Sequence, residues 1–86
     1  MLTLKESIEI AENNLPEGLA IYPLYGEIRE KYVFSMQDSS GMIPPGGGRW
    51  TVHKETGECK FEYLERDGDK PWSPIKGYKK ITPNQD

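Results

Sequence analysis

The segment RWTVHKETGECKFEYL, residues 49–64, is the feature that most constrains what this chain can fold into. Polar and apolar side chains alternate on both sides of the central KETG, which is the pattern of two antiparallel strands joined by a tight turn. Gly57 fits the last position of that turn, because glycine adopts a positive φ angle without steric strain. The segment therefore predicts a β-hairpin.

Two registers of this hairpin have different chemical consequences. A three-residue loop pairs His53 directly with Cys59, and a thiol beside an imidazole is the start of a nucleophile–base pair. A four-residue loop, residues 54–57, pairs Val52 with Cys59 instead. A shift of one residue turns every side chain of a strand to the other face, so the apolar pattern decides between the registers. Only the four-residue loop gathers the apolar side chains on one surface: Trp50, Val52, Cys59, Phe61 and Tyr63. We therefore predict that loop, with the thiol buried and the imidazole facing solvent.

The N-terminal segment predicts one helix, from about Leu4 to Asn14. Thr3 and Glu6 have the spacing of a capping box, in which each side chain accepts a hydrogen bond from the other residue's amide. Pro16 ends the helix, because its ring clashes with the preceding turn. Helical spacing forms one apolar stripe from four residues: Leu4, Ile8, Ala11 and Leu15.

Two further strands are predicted between the helix and the hairpin. Residues 19–25 are rich in strand-forming side chains, but Pro23 cannot donate to a ladder, so this strand is either an edge strand or a bulged one. Residues 31–37 alternate, with Val33 as the exception. Three side chains of this strand share one face: Tyr32, Phe34 and Met36.

The three glycines at positions 46–48 do not predict a phosphate-binding loop. Such a loop places converging amides at the start of a helix and usually carries Gly-Lys-Ser/Thr. Here the glycines lead into Arg49 and an alternating strand, and that motif does not occur. Residues 38–48 therefore predict a loop, and its ordering against a partner stays open as an alternative.

Together these patterns predict one α+β domain that covers all 86 residues. One N-terminal helix, within residues 1–15, is expected to pack on an antiparallel sheet of about four strands within residues 19–64. Residues 65–86 form an extended tail that lies over the sheet. The helix stripe is expected to meet five sheet residues: Phe34, Trp50, Val52, Phe61 and Tyr63.

Five residues are candidates for partner binding. The helix glutamates predict a solvated face rather than a metal site, which prefers Asp-rich loops or histidines. Aromatic side chains in a polar tail either anchor a protein interface or cover an open sheet face, and both alternatives stay open. The spacing of Ile75, Tyr78 and Ile81 also leaves one short helical turn possible. The five candidates are Glu9, Glu12, Arg49, Trp72 and Tyr78.

The charge of the chain excludes some classes of partner. The formal net charge is −3 and the isoelectric point is about 5.2, whereas binding to nucleic acid or an anionic membrane needs a concentrated basic surface. We therefore expect no nucleic-acid partner and no membrane partner. An acidic helix face suits a basic protein partner, since opposite charges speed encounter.

One cysteine and one histidine limit the chemistry further. An intrachain disulfide needs two thiols, and a Cys/His metal site needs three or four ligands. We expect no metal and no cofactor. The N-terminus lacks the apolar core of a secretory signal, and no apolar run approaches the roughly 20 residues that span a bilayer. A cytoplasmic location is therefore expected.

The order of these elements resembles the immunity protein 35 family of small bacterial proteins. The resemblance covers roughly residues 4–64: a helix with Ala11, a linker that begins at Pro16, a YVF strand, a Pro-Gly-rich loop and WTVHKETGE. The tail segment PIKGY is a weaker match to the same family. The turn pattern V-x-K-x-T-G-E is also similar to PepSY domains.

The immunity-protein resemblance implies a small, non-enzymatic protein-binding module in a bacterial cytoplasm. The proline-bearing strand leaves an edge for dimerisation or for an added strand, so a monomer and a weak dimer both stay open. Such a module would neutralise a toxin by occluding it, and an acidic patch suits a nuclease-type toxin. No catalytic residue is carried over. Two alternatives stay open: a PepSY-like regulatory or inhibitory domain that acts on a peptidase, and a small enzyme that uses Cys59 and His53.

Overall fold

The computed structural model describes residues 1–42, 48–70 and 73–81. Within these ranges one helix and five strands follow each other along the chain: α1 Leu4–Asn14, β1 Ala20–Ile28, β2 Lys31–Gln37, β3 Gly48–His53, β4 Cys59–Tyr63 and β5 Lys79–Ile81. All strands pair antiparallel in one sheet, in the order β4-β3-β2-β1-β5. This is the predicted α+β fold, with one strand more than the expected four.

Helix α1 has the predicted bounds and the predicted cap. The Thr3 amide donates to Glu6 Oε1 at 2.9 Å, and the Glu6 amide donates to Thr3 Oγ1 at 3.1 Å. Hydrogen bonds to the Glu6 carboxylate from the Thr3 amide and the Thr3 side chain lower the pKa of that carboxyl. At the other end Leu15 is extended, with φ −70° and ψ 144°, because a residue before proline avoids the helical region. The sequence pattern alone therefore sets both ends of the helix.

The buried face of α1 differs from the predicted stripe at one position. Leu4 and Ala11 are fully buried, and Ile8 packs against the core, as expected. Ser7 is also fully buried, and its hydroxyl oxygen has no hydrogen-bond partner among the described residues. Leu15 is only half-buried.

Strand β1 contains the predicted bulge at its proline. Ile21 pairs with Met36, and the register then shifts before Tyr25 pairs with Phe34, so Pro23 lies in the irregular part of the ladder. Strand β5 pairs with the other side of β1 at residues 25–27, so β1 is an inner strand there, whereas none of the described strands pairs with its outer side at Pro23.

The main core lies between α1 and one face of the sheet. Its fully buried members on the sheet are Phe34 and Val52, and Tyr32 is nearly so. The exception predicted in β2 has a structural reason: Val33 points to the opposite face, where it pairs with Thr51, and both are buried. The sheet is therefore covered on both faces along its centre.

Two residues predicted to meet the helix do not lie under it. Phe61 and Tyr63 point to the helix side of the sheet, but they are 40% and 75% exposed. A helix is about 10 Å wide and neighbouring strands are about 4.8 Å apart, so one helix covers roughly two strands of a five-stranded sheet. Strand β4 lies at the edge, and its outer half extends beyond the helix.

The tail folds back over the sheet, as predicted, and adds a strand. The Asp67 amide donates to the Pro74 carbonyl at 2.8 Å, and an isolated bridge joins Arg66 to Ile75. The possible helical turn is instead a tight turn, in which the Tyr78 amide donates to the Ile75 carbonyl at 3.1 Å and Gly77 has φ +75°. Strand β5 follows directly.

No helix in the described part of the chain has both the length and the apolar content to cross a bilayer.

Candidate functional site

The β3–β4 hairpin has the predicted four-residue loop. Val52 pairs with Cys59, and the His53 amide donates to the Glu58 carbonyl at 2.9 Å. Gly57 has φ +77° and donates its amide to the His53 carbonyl at 2.8 Å. Because successive side chains of a strand alternate, the His53 imidazole and the Cys59 thiol lie on opposite faces of the sheet.

Neither member of this pair is placed to assist the other. His53 Nδ1 accepts from the amides of Glu55 and Thr56, at 3.1 and 3.3 Å, and Nε2 lies 3.5 Å from a Glu30 carboxylate oxygen. The imidazole is 24% exposed and therefore partly shielded from solvent by its own turn. Cys59 is partly buried against the core, and this burial raises the pKa of its thiol. A raised pKa keeps the sulfur in its less nucleophilic form.

An aromatic ladder, defined as Trp50, Phe61 and Tyr63, follows the helix side of β3 and β4. The ring centroids of Trp50 and Phe61 are 5.7 Å apart, and those of Phe61 and Tyr63 are 5.6 Å apart, both edge to face. The indole Nε1 donates to Met36 Sδ at 3.3 Å. Phe61 also lies against Gly48, where an added Cβ would come within 2.1 Å of its ring. The ladder is therefore ordered although its outer end is exposed.

The ladder lies on an open edge strand. In an antiparallel pair every second residue forms backbone hydrogen bonds with the neighbouring strand. The His53 amide donates to the Glu58 carbonyl, so residues 60 and 62 also direct their backbone groups toward β3. Phe61 and Tyr63 therefore direct their N–H and C=O groups outward. None of the described strands pairs with this outer edge.

The predicted acidic residues of α1 are at the surface. Glu9 and Glu12 are exposed and line a shallow groove with Asn13. Within the described ranges, no lysine, arginine or histidine nitrogen lies within 4 Å of either carboxylate. The same ranges contain no group of three or more His, Cys, Asp or Glu arranged to hold a metal ion.

Two predicted candidates, Arg49 and Tyr78, line one cavity on the face opposite α1. We call it the tail cavity; its volume is about 350 Å³. The folded-back tail contributes Arg66, Ser73 and Ile75, and the sheet contributes Ser35 and Leu24 among others. The other tail candidate, Trp72, lies outside the described residues.

Among the described residues Arg49 has no carboxylate partner, although a glutamate pairs with it on the neighbouring strand. Its cross-strand neighbour is Glu62, which instead accepts from Lys31 Nζ at 3.0 Å and from the Thr51 hydroxyl. Arg49 Nη1 donates to the Gly48 carbonyl at 2.9 Å. Burial lowers the pKa of the Arg49 guanidinium, the nearby Arg66 charge lowers it further, and Tyr78 acts in the opposite direction. A half-buried cation thus faces the tail cavity.

The structure adds features that sequence reasoning missed. Arg66 and Ser73 join Arg49 at the cavity, with Arg66 Nη1 donating to the Ser73 carbonyl at 2.7 Å. No short-range pattern indicated this, because the tail returns from a separate part of the chain. The exposure of Phe61 and Tyr63 was also missed. The alternating pattern of β4 predicted that both side chains are buried, but the helix is too narrow to cover this edge of the sheet.

These features define the class of the molecule: a small α+β domain with an exposed aromatic ladder on an open edge strand and a cavity beneath its tail. No family model, curated protein or solved structure matches the chain in comparisons with known proteins. The resemblances to immunity protein 35 and to PepSY domains remain predictions from sequence motifs.

Proposed function

We propose that this chain is a small, non-enzymatic protein-binding module that receives an extended segment of a partner at the outer edge of β4. The observation that carries the proposal is the exposure of Phe61 and Tyr63 on a strand whose outer backbone groups meet no described strand. An open edge is a template for an added strand, and aromatic rings are frequent anchors at interface centres.

The aromatic side of this edge lacks two features that usually block such pairing, a proline and a charged side chain. Charged side chains turned toward the pairing surface and prolines are common protections. Strand β4 contains no proline, and its charged residues Lys60 and Glu62 point to the face opposite the aromatic ladder. Glu62 is held there by Lys31 and Thr51. The approach along the ladder is therefore apolar.

The charge of the chain supports a basic partner. Its net charge is −3, and the carboxylates of Glu9 and Glu12 are exposed with no described cation beside them. Opposite charge raises the association rate of two proteins. The biological setting that we propose is that of an immunity protein in a bacterial cytoplasm, which neutralises a basic, nuclease-type toxin by covering it.

A direct test uses the product of the gene adjacent to that of this chain as the binding probe. We expect the chain to bind this protein and to restore growth of cells that express it. Tyr63→Ala should weaken binding at least about tenfold, since anchor residues commonly carry that much affinity. Leu24→Ala is the matched control, because Leu24 is a 45% exposed apolar residue on the opposite face, and it should change binding less than about twofold.

Two results would contradict the proposal. One is the absence of both binding and growth rescue. The other is equal weakening by Tyr63→Ala and Leu24→Ala, which would place the interface elsewhere. Sedimentation of the free chain separates a third case: a stable dimer that Tyr63→Ala dissociates would show that the edge is occupied by a second copy instead of a partner.

A further inference from the structure

We propose that the tail cavity binds an oxyanion, the carboxylate or phosphate group of a small organic molecule, through Arg49 and Arg66. This binding site is separate from the β4 edge, because it lies on the face opposite the aromatic ladder and no residue of β4 lines it. The inference therefore does not depend on the proposed protein partner.

The first argument is the convergence of positive charge. Arg49 of β3 and Arg66 of the tail line the same cavity in a chain whose net charge is −3. Arg49 donates to the Gly48 carbonyl at 2.9 Å, and Arg66 donates at least one hydrogen bond, to the Ser73 carbonyl at 2.7 Å. A guanidinium has five N–H donors in a planar fork that matches carboxylate and phosphate groups. Arg49 keeps donors available for a ligand.

The second argument is that Arg49 has no counter-ion in the part of the chain that the structure describes. Within the described ranges no carboxylate lies within 4 Å of its guanidinium. Glu62, which pairs with Arg49 on the neighbouring strand, is instead bonded to Lys31 and Thr51. A half-buried charge without a partner is unfavourable, and a second cation nearby makes it more so. A bound anion would compensate the half-buried charge of Arg49 and reduce its repulsion by Arg66.

The third argument is the shape and chemistry of the walls. A volume of about 350 Å³ is within the range of small-molecule sites and larger than a bare inorganic anion requires. Leu24 and Ile75 provide apolar wall surface, while Ser35 and Tyr78 provide hydroxyl groups. This combination fits a molecule with an anionic head and an apolar body.

The test is a ¹H–¹⁵N NMR titration with benzoate, phenyl phosphate and inorganic phosphate at constant ionic strength. We expect saturable shifts at the amides of Ser35, Arg49, Ser73 and Tyr78 with at least one aromatic probe. That probe should bind at least about fivefold more tightly than inorganic phosphate, because it also contacts the apolar walls. Whether benzoate or phenyl phosphate binds more tightly identifies the preferred head group.

Three variants distinguish a specific site from general charge screening. Arg49→Gln should weaken binding of the tighter aromatic probe at least about tenfold. Arg49→Lys keeps the positive charge but lacks the planar fork of donors, so it should lose part of the affinity. Arg29→Gln is the matched control, because Arg29 is exposed and does not line the tail cavity. It should change affinity less than about twofold.

The backbone spectrum and melting temperature of each variant show whether it is folded. The proposal is overturned if neither aromatic probe produces saturable shifts at the cavity amides of the wild-type chain. It is also overturned if Arg29→Gln weakens binding as much as Arg49→Gln does, or if folded Arg49→Gln and Arg49→Lys both bind like the wild type.

Discussion

The ring of Tyr78 lies against the α-carbon of Gly26, on the sheet face opposite the helix. A Cβ added at position 26 would come within 2.1 Å of a ring atom, so the two residues fit only because glycine has no side chain. This contact attaches the tail to β1 near the C-terminal end of the strand. It also explains a glycine inside a strand, where glycine is otherwise unfavourable.

Gly26→Ala should therefore destabilise the protein by about 1–3 kcal/mol, because the tail must move to accommodate the methyl group. The measurement is denaturant unfolding of Gly26→Ala, Tyr78→Ala and the double variant. In the Tyr78→Ala background the added methyl group meets no ring, and its cost should fall below about 0.5 kcal/mol. Equal costs in the two backgrounds would show that the ring contact does not determine the effect.

Ser7→Ala should stabilise the protein by about 1 kcal/mol. The hydroxyl of Ser7 is fully buried without a partner in the described structure, and alanine also has the higher helix propensity. Asn13→Ala is the control, since Asn13 is exposed on the same helix and reports the gain in propensity alone. Thermal and denaturant unfolding measure both changes. A loss of stability in Ser7→Ala would indicate that the hydroxyl has a partner.

The Cys59 thiol should react with iodoacetamide at least about threefold more slowly in the folded protein than in guanidinium, at pH 8. Partial burial raises the pKa of this thiol and limits access to it. Unfolding returns the thiol to its lower, ordinary pKa. The contribution of this thiol to the free energy of unfolding is therefore present below the ordinary thiol pKa, and it is lost as the pH rises through the pKa of the folded protein.

His53→Ala is the informative variant in the same experiment. The imidazole lies on the opposite face from the thiol, so its removal should leave the alkylation rate of the folded protein unchanged. A slower reaction in His53→Ala would show that the imidazole activates the thiol, and the alternative of an enzyme that uses this pair would then be favoured.

Glu62→Gln should reduce stability at pH 7 by about 1 kcal/mol, since it removes the ion pair with Lys31 and weakens the bond from Thr51. Partial burial raises the pKa of Glu62, but the hydrogen bonds from Thr51 and Lys31, together with the positive charges of Lys31 and Lys60, lower the pKa overall. Because the pKa of Glu62 is lower in the folded protein, its carboxylate adds stability above the ordinary pKa of glutamate. That stability is lost as the pH falls through the pKa of Glu62 in the folded protein.

The difference between wild type and Glu62→Gln should therefore shrink as the pH is lowered toward 3. Glu58→Gln is the matched control, because Glu58 is 67% exposed and its oxygen lies 3.8 Å from Lys60 Nζ. Its effect should stay within about 0.5 kcal/mol. A pH-independent loss in Glu62→Gln would count against an electrostatic contribution from this carboxylate.

Local patterns predicted the helix and the β3–β4 hairpin correctly. The cap of α1 depends on Thr3 and Glu6, which are three residues apart, and its end depends on Pro16. The hairpin register depends on residues on either side of one turn, so the alternation of side chains was sufficient to choose between two loops. In both cases the interacting residues are near neighbours in the chain.

Features that join distant segments could not be read in the same way. Strand β5 has only three residues, and its partner β1 is about fifty residues earlier, so no local periodicity indicates the pairing. The tail cavity has the same origin, since Arg49 and Arg66 meet only after the tail has folded back. The exposure of Tyr63 depends on how far a helix from the other end of the chain extends over the sheet.

The late position of β5 has a consequence for synthesis on the ribosome. Translation proceeds at roughly 5–20 residues per second, so several seconds separate the emergence of β1 from that of the strand that covers its side. A nascent chain therefore carries an uncovered β1 next to neighbouring nascent chains during this interval. Residues 79–81 cover only residues 25–27 on that side of β1. The nearby Pro23 offers no amide to an incoming strand and thereby limits cross-pairing between polysome neighbours along the rest of β1.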